Sequence, residues 1–191
     1  MRVILASASP RRRELLEMLR VPRLEIVPAL GEELPHPGLA PAELVRELSR
    51  AKAEEVASRC AGPGDLVLGA DTVVELDGAV LGKPRDPEDA CRMLRALSGR
   101  AHRVYTGVTA IRDGQSLSHA EETAVHFREL DEEEIRRYVA TGEPLDKAGA
   151  YGAQGLASLF VERLEGDFFN VMGLPLCALG NLLRELGVTL L

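Results

Sequence analysis

Two hydrophobic periods share this chain. Short apolar runs of strand type alternate with stretches in which apolar residues return every three to four positions, as in helices. Arg2 to Ala6 (RVILA) predicts a strand. Ser9-Pro10 then opens a helix, with Ser9 as its cap, Pro10 in its first turn and Leu15, Leu16 and Leu19 as its apolar stripe. Leu24 to Val27 predicts a second strand, and a loop rich in Gly and Pro follows (GEELPHPGLAP). Pro41 starts a long helix that ends by Gly62, with Leu44, Val45, Leu48, Ala51 and Val56 as its buried face. Asp65 to Leu76 (DLVLGADTVVEL) reads as a strand, and Asp77-Gly78 turns it into a return strand reaching Gly82.

Asp86-Pro87 caps a third helix, which closes at Ser98-Gly99. His102 to Ile111 and Ser116 to Phe127 form a long hairpin across Asp113-Gly114. Asp131 with Glu134 makes a capping box for a helix that stops at Gly142. A Gly-rich stretch, Lys147 to Leu156, leads to a strand near Leu159 to Leu164, and a last apolar helix runs from Pro175 to Leu186. Alternating strands and helices interrupted by hairpins predict an α/β fold with a mixed sheet and flanking helices. The length suits one domain over residues 1–191, built as two lobes around a central cleft.

Composition narrows the function. The chain is 46% hydrophobic and 28% charged, which excludes general disorder. It has no apolar run long enough to span a membrane, and the apolar start is too short for a signal peptide, so a cytosolic protein is expected. A net charge of −7 argues against coating nucleic acid but leaves room for a small anion held by a local basic cluster. Cys60, Cys91 and Cys177 are far apart and form no zinc spacing, so reduced thiols are expected. Only Lys52, Lys83 and Lys147 are lysines among 23 basic residues, so these positions are candidates for a compact point cation. Few amide side chains fit a heat-exposed protein.

Five features carry chemistry. Ser7-Ala8-Ser9-Pro10-Arg11-Arg12-Arg13 puts three cations at a helix N-terminus, where they oppose the dipole unless an anion binds; at most two can face one ligand, and the alternative is helix-forming arginines on a solvated face. Asp71 sits inside an apolar strand, where an ionised carboxylate needs a partner, a metal or a catalytic task; the alternative is an Asp at a strand end facing solvent. Glu32-Glu33 on the Gly/Pro loop is either solvated or, folded over Asp71, part of a site for a hard divalent cation. Lys52 and Lys83 are either surface charges or phosphate partners, and no Walker A loop, GxGxxG or GxSxG occurs. Lys147 to Gly155 combines spaced glycines, which permit close approach of a ligand, with Gln154, which can read a base edge; a plain Gly-rich turn is the alternative. Together these types suit phosphoryl chemistry.

The segments SASPRR, GADTVV, LGKPRDPEDA, LSGRAHRVYTGV, DKAGAYGAQG and NVMGLP, in that order from Val3 to Leu186, resemble the Maf family of nucleotide pyrophosphatases. The resemblance implies hydrolysis of a nucleoside triphosphate to monophosphate and pyrophosphate with a divalent metal, Mg or Mn. It implies an inosine-triphosphatase-like fold and a homodimer. It makes Asp71 the catalytic base and assigns phosphate or metal roles to Ser7, Arg12, Glu33, Lys52 and Lys83, with Glu32 as the substitute for Glu33. Arg11, Thr72 and Gln154 match the branch acting on dTTP and UTP, whereas the 7-methyl-GTP branch carries a Trp after SP and this chain has none. A nucleotide-binding regulator of septum formation and a purine-directed inosine-triphosphatase-like activity stay open as alternatives. Two departures stand out, Glu47 where an arginine is common and GDFFNV where GSYYNV is common.

Overall fold

The computed structural model describes residues 1–31 and 38–190, so the expectations for Glu32 and Glu33 lie outside the described residues. Seven strands form one mixed sheet: β1 (Val3–Leu5), β2 (Leu24–Ile26), β3 (Leu66–Leu76), β4 (Ala79–Leu81), β5 (Ala101–Arg112), β6 (Gln115–Phe127) and β7 (Val161–Glu165). Their order is β2-β1-β3-β5-β6-β7, with β4 beside β3. β1 runs parallel to both β2 and β3, while β4 and β7 are antiparallel to β3 and β6. The helices are α1 (Pro10–Met18), α2 (Pro41–Cys60), α3 (Pro87–Leu97), α4 (Glu132–Ala140), α5 (Phe168–Met172) and α6 (Leu176–Glu185). The mixed α/β class is therefore the one that the periodicities predict.

Local chemistry explains the element ends. Asp77 (φ 52°) with Gly78 (φ 81°), and Asp113 (φ 47°) with Gly114 (φ 81°), supply the paired left-handed residues that a two-residue hairpin turn requires. Asp86 and Asp131 cap α3 and α4 by accepting the amides of Asp89 and Glu134. The reciprocal arm of the Asp131 box is diverted, because the Glu134 carboxylate pairs with Arg128. Ser9 stands at the N-cap of α1 without a side-chain cap bond. Its amide instead donates to Ser7 Oγ. α5 and three 3₁₀ turns (Glu143–Asp146, Ala148–Ala150 and Leu156–Leu159) are additions to the expected elements.

The chain folds as two compact units. The first comprises Met1–Asp71, Thr106–Glu121 and the segment from Gly173 onward. It packs Ile4, Ala6, Ala53, Val56 and Val67 into one core cluster. On α2 the buried face is Val45, Leu48, Ser49, Ala53 and Val56, while Ala51 is exposed, which corrects the expected stripe by two positions. The second comprises Thr72–Tyr105 and Glu122–Met172. Its core gathers Val74, Leu94, Leu97, Phe127, Ile135, Tyr138, Tyr151 and Phe160. Each fully buried Leu of this kind contributes about 1.5–3 kcal/mol.

Some buried polar groups inside the second unit are paired, whereas His102 Nδ1 meets no hydrogen-bond partner among the described residues. Asn170 Nδ2 donates to Val104 O and to Thr123 Oγ1. Asp167 accepts from the Phe169 amide and exchanges backbone bonds with the Thr123 hydroxyl, which accounts for the GDFFN segment as a local cap. No helix among the described residues is long and apolar enough to cross a membrane.

Candidate functional site

Two glycines set the site in the first unit. A Cβ on Gly107 would run into the Val45 carbonyl and lie 2.8 Å from Arg46 N. A Cβ on Gly69 would run into the Ser49 carbonyl and lie 2.9 Å from the Ala53 backbone and Cβ. Bare backbone on β3 and β5 thus lets α2 lie directly against the sheet. Gly69 and Asp71, two apart on a strand, share the face that meets α2. Lys52 stands in the helical turn between Ser49 and Ala53, and its Nζ reaches Asp71 Oδ1 at 2.5 Å.

Asp71 is buried in the middle of β3, not at its solvated end. Its side chain is 12% exposed and that of Lys52 22%, so the pair is largely removed from water. Leaving either charge there alone would cost several kcal/mol. The same helix face holds a second polar contact, in which Ser49 Oγ meets Thr109 Oγ1 at 2.9 Å and Thr109 meets Ser118 Oγ at 2.8 Å.

Arg12 is the second anchor. Its Nε donates to Gly173 O at 2.8 Å, and its Nη1 donates to Ala70 O at 2.8 Å and to Ser7 Oγ at 3.0 Å. Ser7 is buried, and the guanidinium ties its turn to the residue just before Asp71. Ser7, Arg12, Lys52 and Asp71 are therefore brought together within the first unit. Arg13 points away and pairs with Glu17 on the exposed side of α1, while Arg11 lies half-buried on the same helix. Arg12 thus serves the Ser7 turn while Arg13 does not, as consecutive helical residues point about 100° apart.

The remaining candidates belong to the second unit. Thr72 follows Asp71 on β3 and is half-buried. Lys83 is exposed after β4, and Gln154 is exposed on a turn closed by the Gly155 amide donating to Gly152 O at 3.0 Å. The segments carrying Lys83 and Gln154 are linked where Gly149 N donates to Gly82 O at 3.0 Å. Spaced glycines here answer to protein contacts. A Cβ at Gly149 would meet Val74, one at Gly152 would meet Lys147, and one at Gly155 would meet Glu143. The sequence reading missed Gly69, Gly107 and Glu143. Their signal, a bare backbone facing a distant helix or side chain, exists only in three dimensions.

Among the described residues no three His, Cys, Asp or Glu side chains gather as a metal cluster. Cys60 donates its thiol to Val56 O, and all three cysteines are free. Asp71 alone nevertheless suits a magnesium-like ion in kind, because such ions take one or two carboxylates, several waters and substrate phosphate oxygens.

A family profile described as "Maf-like protein" matches residues 2–186. The chain is 51% identical over 189 residues to a dTTP/UTP pyrophosphatase of Thermococcus gammatolerans, covering 99% of this chain and 98% of that one. It is 53% identical over 191 residues to a dTTP/UTP pyrophosphatase of Moorella thermoacetica, covering 98% and 96%. A crystal structure of a nucleoside-triphosphatase / dITP/XTP pyrophosphatase from Mycobacterium abscessus aligns with a TM-score of 0.41 and 16% identity over 68% of this chain and 76% of that one, a likeness too loose to build on.

Proposed function

We propose, from the premise that this chain belongs to the Maf-like protein family, that it is a nucleoside triphosphate pyrophosphatase hydrolysing dTTP and UTP to the monophosphate and pyrophosphate. The observation that carries the activity is near-complete coverage at about half identity by relatives of that name. The observation that carries the chemistry is the covered Lys52–Asp71 pair beside the Arg12 anchor.

In this reading Asp71 takes a proton from a water whose oxygen bonds to the α-phosphorus. The bond from that phosphorus to the bridging oxygen breaks, and pyrophosphate leaves with the electron pair. Lys52, Arg12 and Lys83 offset the charge of the triphosphate. Arg12 does so while its N–H groups hold the Ser7 turn, since a full positive charge acts through space as well as through its bonds. Arg11, Thr72 and Gln154 choose the base. A divalent cation, Mg or Mn, would be held by Glu33, assigned through the family resemblance, together with Asp71, and when bound it would supply charge neutralisation to the phosphate oxygens. A cytosolic location, a single domain and a homodimer belong to the same proposal, and fractionation and light scattering test them.

The deciding experiment offers each ribo- and deoxyribonucleoside triphosphate, ITP and 7-methyl-GTP with Mg²⁺ or Mn²⁺ and separates pyrophosphate from phosphate. Monophosphate plus pyrophosphate, greatest with dTTP and UTP, is expected. Pyrophosphate chiefly from a purine would move the specificity, and nucleotide binding with no product from any triphosphate would overturn the activity.

A further inference from the structure

Glu143 opens the 3₁₀ turn after Gly142, a position whose sequence (TGEPLD) reads as ordinary loop. Its carboxylate is nonetheless fully engaged. Tyr138 Oη donates to Glu143 Oε1 at 2.9 Å, and the Leu156 amide donates to Glu143 Oε2 at 3.1 Å. The same Tyr138 oxygen accepts the Gly152 amide at 3.2 Å. Gly152 opens the turn that carries Gln154, and Leu156 directly follows its last residue, Gly155. One tyrosine–glutamate pair therefore grips that turn at its opening and just past its close.

The surroundings make the grip stiff. Tyr138 is buried in the core of the second unit and packs edge-on against Phe160, with ring centroids 5.1 Å apart. Lys147 Nζ donates to Glu143 O at 2.5 Å and to Asp146 Oδ1 at 2.7 Å, which fixes the backbone from which the carboxylate projects. Gly152 and Gly155 give the clamp its space, because a Cβ at Gly152 would sit 2.8 Å from Lys147 Cε and one at Gly155 would sit 2.7 Å from Glu143 Cδ.

We propose that Glu143, held by Tyr138, is a positioning residue for Gln154 and thereby for the choice of pyrimidine base. This rests on the reading of Gln154 as a base-selecting residue given above. Glu143 touches no reacting atom; it fixes the direction in which the Gln154 amide is presented. A hydrogen-bonding group that must match a base edge loses discrimination once it is free to wander.

The test is a double-mutant cycle on base discrimination, the ratio of kcat/KM for dTTP to that for dCTP. Gln154→Ala is expected to lower the ratio about 10-fold, and Glu143→Ala to lower it to a similar extent, chiefly through KM for dTTP with kcat within about 3-fold. The double variant is expected to fall no further than Gln154→Ala alone, since the clamp has nothing left to position. Glu143→Gln, whose amide oxygen can still accept from the Leu156 amide, is expected to recover most of the ratio. Folding of each variant is followed by circular dichroism. If Glu143→Ala does not fold, Tyr138→Phe, which removes the hydroxyl shared by Glu143 and Gly152, is expected to shift the ratio in the same direction.

Unchanged discrimination in folded Glu143→Ala or Tyr138→Phe, an equal loss of kcat with every nucleotide, or additive losses in the double variant would each overturn the proposal. Two prior outcomes are separable from these. A wild-type protein releasing no pyrophosphate from dTTP or UTP overturns the activity and the clamp's role with it. An active wild type with unaltered discrimination in Gln154→Ala overturns the role of Gln154 and, through it, that of Glu143.

Discussion

Lys52 and Asp71, nineteen positions apart in sequence, meet as an ion pair at 2.5 Å because α2 lies on bare strand backbone. The pair has two aspects. It compensates a carboxylate buried in an apolar strand, and in the proposed reaction it supplies a point cation to the triphosphate. Asp71→Asn keeps the shape of the side chain and removes the proton acceptor. It should lower pyrophosphate release by about 10²–10⁴-fold while leaving the circular dichroism spectrum unchanged. Turnover near the wild-type level in a folded Asp71→Asn protein would remove Asp71 from the reaction.

Lys52→Ala should behave differently. It deletes the cation and leaves the carboxylate covered and uncompensated, so both stability and turnover should fall. A stability loss of about 3–5 kcal/mol is expected for an uncompensated buried pair, less in proportion to the solvent that reaches these side chains. Urea titration measures it, and KM for dTTP should rise in the fraction that remains folded.

Gly107 offers a remote handle on the same pair. Gly107→Ala forces a methyl against the Val45 carbonyl. The cost should be about 1–3 kcal/mol, read as a lower melting temperature by calorimetry. Displacement of α2 should also reduce kcat on dTTP, although residue 107 contacts no candidate reacting group. An unchanged melting temperature would mean that the helix shifts without penalty.

His102 predicts an acid limb to stability. It is buried, its Nε2 lies 2.8 Å from Tyr151 Oη, and its Nδ1 meets no hydrogen-bond partner among the described residues. Burial, helped by the charge of His126, pushes its pKa down from 6.5 to about 3. Such a histidine is neutral in the folded protein and protonates once unfolded. Its contribution is therefore complete above about pH 6.5 and is lost progressively as pH falls from there towards 3. Between pH 7 and pH 5 that loss should be about 2 kcal/mol. Urea titrations at both pH values should record it, and His102→Gln should flatten the difference.

Metal dependence is the fifth expectation. Chelation with EDTA should abolish pyrophosphate release, and excess Mg²⁺ or Mn²⁺ should restore it. Full activity in the presence of chelator would leave Lys52, Arg12 and Lys83 as the sole counter-charges.

Legibility in the sequence followed the range of the interaction. The hairpins at Asp77-Gly78 and Asp113-Gly114 were plain, because a two-residue turn needs left-handed backbone and those residues tolerate it. Asp86 and Asp131 were plain as caps for a similarly local reason. Asp71 stood out because a carboxylate in an apolar run is costly. Its partner did not, since periodicity assigns Lys52 to a face of a helix and says nothing of what that face meets. The α2 stripe slipped at Ala51 because Gly69 and Gly107, far along the chain, decide which residues α2 buries. α5 and the 3₁₀ turns were too short to show a period. Glu143 looked like loop polarity because its partners, Tyr138 and Leu156, stand on either side of it in unrelated local patterns.

Four times the chain passes from one compact unit to the other, after Asp71, Tyr105, Glu121 and Met172. No uninterrupted stretch of the gene therefore encodes either unit. Neither can be duplicated, lost or exchanged by a single recombination event without breaking both. The first passage falls on the peptide bond joining Asp71 to Thr72, so the residue assigned to the chemistry and one assigned to the choice of base are inherited as neighbouring codons. A lineage can change Thr72 or Gln154 by point substitution, but it cannot acquire a different second unit as a ready-made module.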